Sequence, residues 1–137
     1  APAMILVDTS VWIGLLRNTD RPAVEALKRL LNSETTVGLT PLILQEILQG
    51  SASAAHFATL RRYFADLPLL EPVDAIATHV AAAQIYCRCR WSGVTPRSSN
   101  DCLIACLAIA HDVVLLHDDH DFDAISRVES RLKLFTV

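Results

Sequence analysis

Two short apolar runs, each stopped abruptly by acidic residues, constrain this chain more than any other feature. Met4-Ile5-Leu6-Val7 ends in Asp8-Thr9-Ser10, and Val113-Val114-Leu115-Leu116 ends in His117-Asp118-Asp119. Runs without polar alternation read as strands buried on both faces, as in a parallel sheet. Val11, Trp12, Leu15 and Leu16 then recur at helical spacing, and Asp20-Arg21-Pro22 offers a cap and first-turn proline for a second helix reaching Leu31. Thr35 to Leu39 reads as a second strand, with Thr40-Pro41 opening a helix that carries Glu46. Helices are expected over Ala52 to Ala65, Asp74 to Trp91 and Asp101 to about His111, with a brief strand at Leu69-Leu70. A short helix from Asp123 and a last strand over Leu132 to Val137 complete the pattern. Strands alternating with helices predict an α/β fold of three layers, a mostly parallel sheet of about four to five strands flanked by helices.

With 137 residues, 52% of them hydrophobic, the chain can bury one core, so a single domain over residues 4–137 is expected. Ala1-Pro2-Ala3 ahead of Met4 reads as a leftover of expression-vector sequence. The most apolar stretch, Cys102 to Ala110, is well short of the roughly 20 residues that cross a bilayer, so no membrane role is expected. Cys87, Cys89, Cys102 and Cys106 lie within predicted helices, without turn residues between the members of each pair. They read as reduced thiols of a cytoplasmic protein rather than as a zinc site. The formal charge of −3 speaks against a nucleic-acid binder, but two bound dications would reverse its sign, and ten of the twelve basic residues are arginine.

In an open α/β sheet, ligands bind beyond the carboxyl ends of the strands. Asp8 directly follows the first strand and Asp119 lies three residues past Leu116, while Glu46 and Asp101 stand on helices expected to border the same crevice. Four carboxylates from distant segments repel unless a cation offsets them. Oxygen ligands suit Mg²⁺ or Mn²⁺, and two such ions about 3.5–4 Å apart would serve hydrolysis of a phosphodiester. Each residue also has a structural alternative: Asp8 and Asp101 could cap helices, and Asp118, Asp119, Asp121 and Asp123 could form a solvated turn. For Glu46, a structural role would need a basic partner that the sequence does not identify.

The four motifs in this order resemble the PIN-domain ribonucleases, and among them the VapC-type toxins of bacterial toxin–antitoxin pairs. Met4 to Trp12 is similar to the family's opening strand with its first acid and following hydroxyl, and Leu44-Gln45-Glu46-Ile47 to the helix bearing the second. Asn100 to Ala105 resembles the third acidic motif, and Leu115 to Phe122 the fourth, although His117 and Asp118 depart from the usual Thr and Asn or Arg. The resemblance implies a metal-dependent endoribonuclease toxin acting on structured RNA, such as transfer or ribosomal RNA, with Mg²⁺ or Mn²⁺. It implies metal ligation by Asp8, Glu46, Asp101 and Asp119, with Asp121 in the same site or holding its loop. Thr9, Ser10 and Asn100 would position these groups. It further implies a homodimer and a cognate VapB-type antitoxin. Arg88, Arg90 and Arg97 with Trp91 surround the loop leading to Asp101 and are candidates for RNA contact. Two other readings stand beside this one. A phosphatase using Asp8 as nucleophile would want a second Asp where Ser10 stands, and a PIN-like module without catalysis would bind RNA or protein while leaving RNA uncut.

Overall fold

The computed structural model describes residues 4–137, so the reading of Ala1 to Ala3 lies outside the described residues. Three parallel strands, β1 (Met4–Val7), β2 (Thr36–Gly38) and β3 (Val114–Leu116), pair in the order β2-β1-β3. β1 is central, and Leu6 and Val7 are fully buried, as an unbroken apolar run in a sheet covered on both faces requires. Seven helices surround this sheet: α1 (Thr9–Leu16), α2 (Pro22–Leu31), α3 (Pro41–Gln49), α4 (Ala54–Phe64), α5 (Ala75–Trp91), α6 (Ser99–Ala110) and α7 (His120–Val128).

The sheet is narrower than the four to five strands expected. Leu69 and Leu134 each contribute only an isolated parallel bridge, to Leu39 and Leu115, at opposite edges. Pro68 and Pro72 flank the first of these segments, and proline cannot donate to a ladder. The expected last strand over Leu132 to Val137 thus shrinks to one bridge. Several helix starts also differ from expectation: α4 begins at Ala54 rather than Ala52, capped by Ser53, and α6 at Ser99 rather than Asp101, capped by Ser98. Arg21, not Asp20, precedes α2 and makes no side-chain cap, and α7 begins at His120 rather than at Asp123 because Asp119 caps it.

Packing explains the helices' composition. α6 buries Asp101, Cys102, Ile104, Ala105, Cys106, Leu107 and Ala108, so residues all round it face protein. Trp12 and Phe64 meet edge to face at 4.9 Å and close the core between α1 and α4. At Gly14 a Cβ would come within 2.6 Å of Val24 Cγ2, so α1 and α2 need glycine there to approach as they do. All four cysteines are free thiols, and three of them are buried.

The register carries the functional consequence. Val7 pairs with Leu116, and the Asp8 N–H donates to the Leu116 carbonyl at 2.9 Å. Parallel strands ending at one level place Asp8 and the His117-Asp118-Asp119 turn together at the carboxyl ends of the strands.

Candidate active site

Helix starts build the site. Asp8 caps α1, its Oδ2 accepting from the Ser10 N–H at 3.0 Å and the Ser10 hydroxyl at 2.6 Å. Asp119 caps α7 in the same way, with Oδ1 accepting from the Asp121 N–H at 2.9 Å. Ser98 caps α6 and places Asp101 in its first turn. An Asp after a strand and at a helix start suits both of its roles, since the helix N-terminus favours a negative charge that the strand end directs into the crevice. The capping alternative for Asp8 and the site reading are therefore compatible.

The tightest grouping is Asp101, Asp119 and Asp121, which each offer an oxygen within 4.8 Å of the others. Asp8 acts on both Asp101 and Asp119 through its charge, and Glu46 acts on Asp8. Glu46 is reached from across the crevice by Thr9, whose hydroxyl donates to Oε1 at 2.7 Å. Ser10 links the two strand ends, because its hydroxyl also accepts from the Asp118 N–H at 3.0 Å. Asn100 is exposed and lies along the groove between α5 and α6 with His79, Tyr86 and Leu103, making no side-chain hydrogen bond to the carboxylates. Its expected positioning role finds no contact to act through.

Electrostatics single out Asp101. Burial first, then the charges of Asp8, Asp119 and Asp121 together with a shared hydrogen bond to Asp119, push its carboxyl up to about 8. Burial likewise raises Asp8, against the opposing hydrogen bonds from Ser10. Burial would raise Asp119 too, but the Asp121 N–H, the proton held in common with Asp101 and the Arg97 guanidinium outweigh it and leave that group below its usual value. Asp101 Oδ2 is buried without a hydrogen-bond partner. A buried oxygen without a partner, on a residue surrounded by other carboxylates, is a place for a proton, an ordered water or a cation, and the all-oxygen donor set fits a hard dication.

The arginines divide. Arg97 lies on the site: Nη2 is 3.1 Å from Asp119 Oδ1, Nε is 3.6 Å from Asp121 Oδ2, and its main-chain N–H donates to Asp121 Oδ2 at 2.9 Å. Arg88 instead ties α5 to the end of α7, donating to the Val128 carbonyl and pairing with Glu129 at 3.3 Å. Arg90 is exposed beside the Tyr86 ring at 5.9 Å, and Trp91 is exposed next to it. Asp118, expected in a solvated turn, is clamped by Arg21 through two 2.9 Å bonds. His117 Nδ1 accepts from the Asp119 N–H at 3.1 Å and steadies the same turn. Residues paired across 97 positions leave no local trace, so nothing in the sequence singles out Arg21.

Comparison with known proteins decides the family. The PIN domain family matches residues 5–128. A VapC ribonuclease of Mycobacterium bovis and Ribonuclease VapC11 of Mycobacterium tuberculosis are each 44% identical to this chain over 126 residues, covering 91% of it and 93% of the relative. This chain belongs to the PIN-domain VapC ribonuclease family. The fold of this family member agrees with solved toxin–antitoxin structures. The VapBC2 structure from Rickettsia felis, solved with a promoter DNA fragment, aligns with a TM-score of 0.72 at 17% identity, covering 96% of this chain and 97% of that one. VapBC-5 from Mycobacterium tuberculosis aligns with a TM-score of 0.68 at 24% identity, covering 99% and 100%.

Proposed function

We propose that this VapC-family chain is a metal-dependent endoribonuclease toxin, a single PIN-like domain that hydrolyses phosphodiester bonds in structured RNA, with transfer or ribosomal RNA as substrate class. The observation that supports it most is the unpartnered, buried Asp101 Oδ2 among acidic neighbours, an arrangement that costs stability unless a ligand uses it. Asp101, Asp119 and Asp121 would hold Mg²⁺ or Mn²⁺, with Asp8 and Glu46 completing the negative wall. A dication held there would supply a more acidic water and charge to offset that developing on the phosphoryl oxygens.

The chain's own residues do the rest. Thr9 fixes the Glu46 carboxylate by donating to one oxygen, leaving the other for a ligand or a water. Ser10 holds Asp8 and the Asp118 main chain in one frame, so the two strand ends keep their spacing. Asp101 must release its proton before it can serve as a ligand, so loading the site liberates a proton and is weaker in acid. Arg90 and Trp91 stand exposed at the end of α5, fit for phosphate contact and base stacking.

The 44% identical relatives bear the name ribonuclease, and the structural neighbours are complexes of VapC-type proteins with antitoxins. By that kinship a cognate VapB-type antitoxin restrains this chain, which acts as a homodimer in the cytoplasm. Among the described residues no helix is long and apolar enough to cross a membrane. Total cellular RNA incubated with the purified protein and Mg²⁺, Mn²⁺ or EDTA, beside an Asp8→Asn variant, tests the activity. Discrete fragments that require metal and vanish in the variant are expected. RNA left intact, or cut equally by both proteins, would remove the nuclease reading and favour a module that binds without cutting.

A further inference from the structure

Arg97 holds its place by two separable contacts. Its main-chain N–H donates to Asp121 Oδ2 at 2.9 Å, a bond that any residue but proline would keep. Its guanidinium lies on Asp119 at 3.1 Å and on Asp121 at 3.6 Å while remaining 76% exposed. The loop is therefore anchored by backbone, and the charged end is free to leave without moving it. The oxygens it covers belong to Asp119 and Asp121, two of the three acids able to hold a cation. A guanidinium and a dication cannot both be held here at full strength, because each is attracted by the negative charge of the same two carboxylates and each repels the other.

We propose that Arg97 is a built-in counter-cation of the acidic site, which a divalent cation displaces and whose released guanidinium then binds a substrate phosphate. This rests on the metal-dependent reading given above. In the first state Arg97 offsets repulsion between Asp119 and Asp121. In the second its fork stays tethered at the rim, a few ångströms from the carboxylates, where a phosphodiester must lie to be cut. Arg suits both states, since its planar fork matches carboxylate and phosphate equally.

The two states give opposite signs for one substitution. Arg97→Ala binds Mn²⁺ about three- to fivefold more tightly by titration calorimetry without RNA, because the competitor is gone. The same variant cuts total RNA more slowly at saturating Mn²⁺, since the phosphate loses its fork. Thermal melts separate this from a loop fault: Mn²⁺ raises the Tm of Arg97→Ala more than that of the wild type, whereas a merely structural role lowers both melts equally. Unchanged Mn²⁺ affinity, or undiminished cleavage at saturating Mn²⁺, would overturn the proposal while leaving the metal site intact. Wild-type protein that binds no Mn²⁺ would overturn both.

Discussion

Glu129 and Asp101 are buried to nearly the same extent, 4% and 7% exposed, and meet opposite surroundings. Arg131 donates to Glu129 through Nε at 3.0 Å and Nη2 at 2.8 Å, and Arg88 adds a contact at 3.3 Å. The Arg131 bonds, foremost, hold the Glu129 carboxyl down to about 2. Around Asp101 stand other acids, and its carboxyl rises to about 8. A buried acid with bases provided for it ties α5, α7 and the C-terminal segment together. A buried acid facing acids is left uncompensated by the fold, and such sites are where function is placed.

Exchanging the charge at each position should break this comparison in opposite ways. Asp101→Asn should lower metal-dependent RNA cleavage by about three orders of magnitude, the scale of a lost cation ligand. Its metal-free Tm should hold or rise, because the cost of burying an ionisable carboxyl among like charges is gone. Cleavage within tenfold of wild type would contradict the role given to Asp101. Glu129→Ala should do the reverse, costing about 2 kcal/mol of stability, roughly 5–10 °C in Tm. Cleavage per folded molecule should stay within about twofold of wild type in that variant. Lost cleavage at unchanged Tm would move Glu129 into the reaction.

The pH dependence sharpens the contrast. Glu129 has a folded value of about 2 against 4.5 in the unfolded chain, so its contribution is complete above 4.5 and lost as pH falls toward 2. Asp101 has a folded value of about 8 against 3.8, so its contribution is complete below 3.8 and lost as pH rises toward 8. Melts of metal-free protein should therefore show a sag toward neutral pH that Asp101→Asn removes, and an acid limb that Glu129→Gln weakens. A neutral sag that survives in Asp101→Asn would assign it to another group. The smallest effect belongs to Asn100, whose side chain touches none of the carboxylates: Asn100→Ala should change cleavage less than about twofold. A tenfold fall would return it to the site.

The same contrast explains what could be read in the sequence. The strand-then-acid motif at Asp8 and an apolar helix opening close to Asp101 were legible, because strand ends and helix starts are local and the parallel sheet gathers them at the carboxyl ends of its strands. Glu129 was not: its main base, Arg131, is two residues away, but a local Glu-Arg pair reads as solvated surface, and only the docking of α7 on α5, with Arg88 41 residues away, buries it. The narrow sheet was overread for a similar reason: Leu69 and Leu134 sit in apolar runs, yet each forms a single bridge. Asp119 as the cap of α7 was hidden by the charge-rich run around it, in which several aspartates could start a helix equally well.

On the proposed reading, the acids gathered around the uncompensated Asp101, and not the arginine-clamped Glu129, hold the cation. Anomalous diffraction from Mn²⁺-soaked crystals tests it directly. A peak within coordination distance of Asp101, Asp119 and Asp121, with none at Glu129, is the predicted result. Fully soaked crystals with no peak at those three carboxylates, or with one only elsewhere, would contradict it.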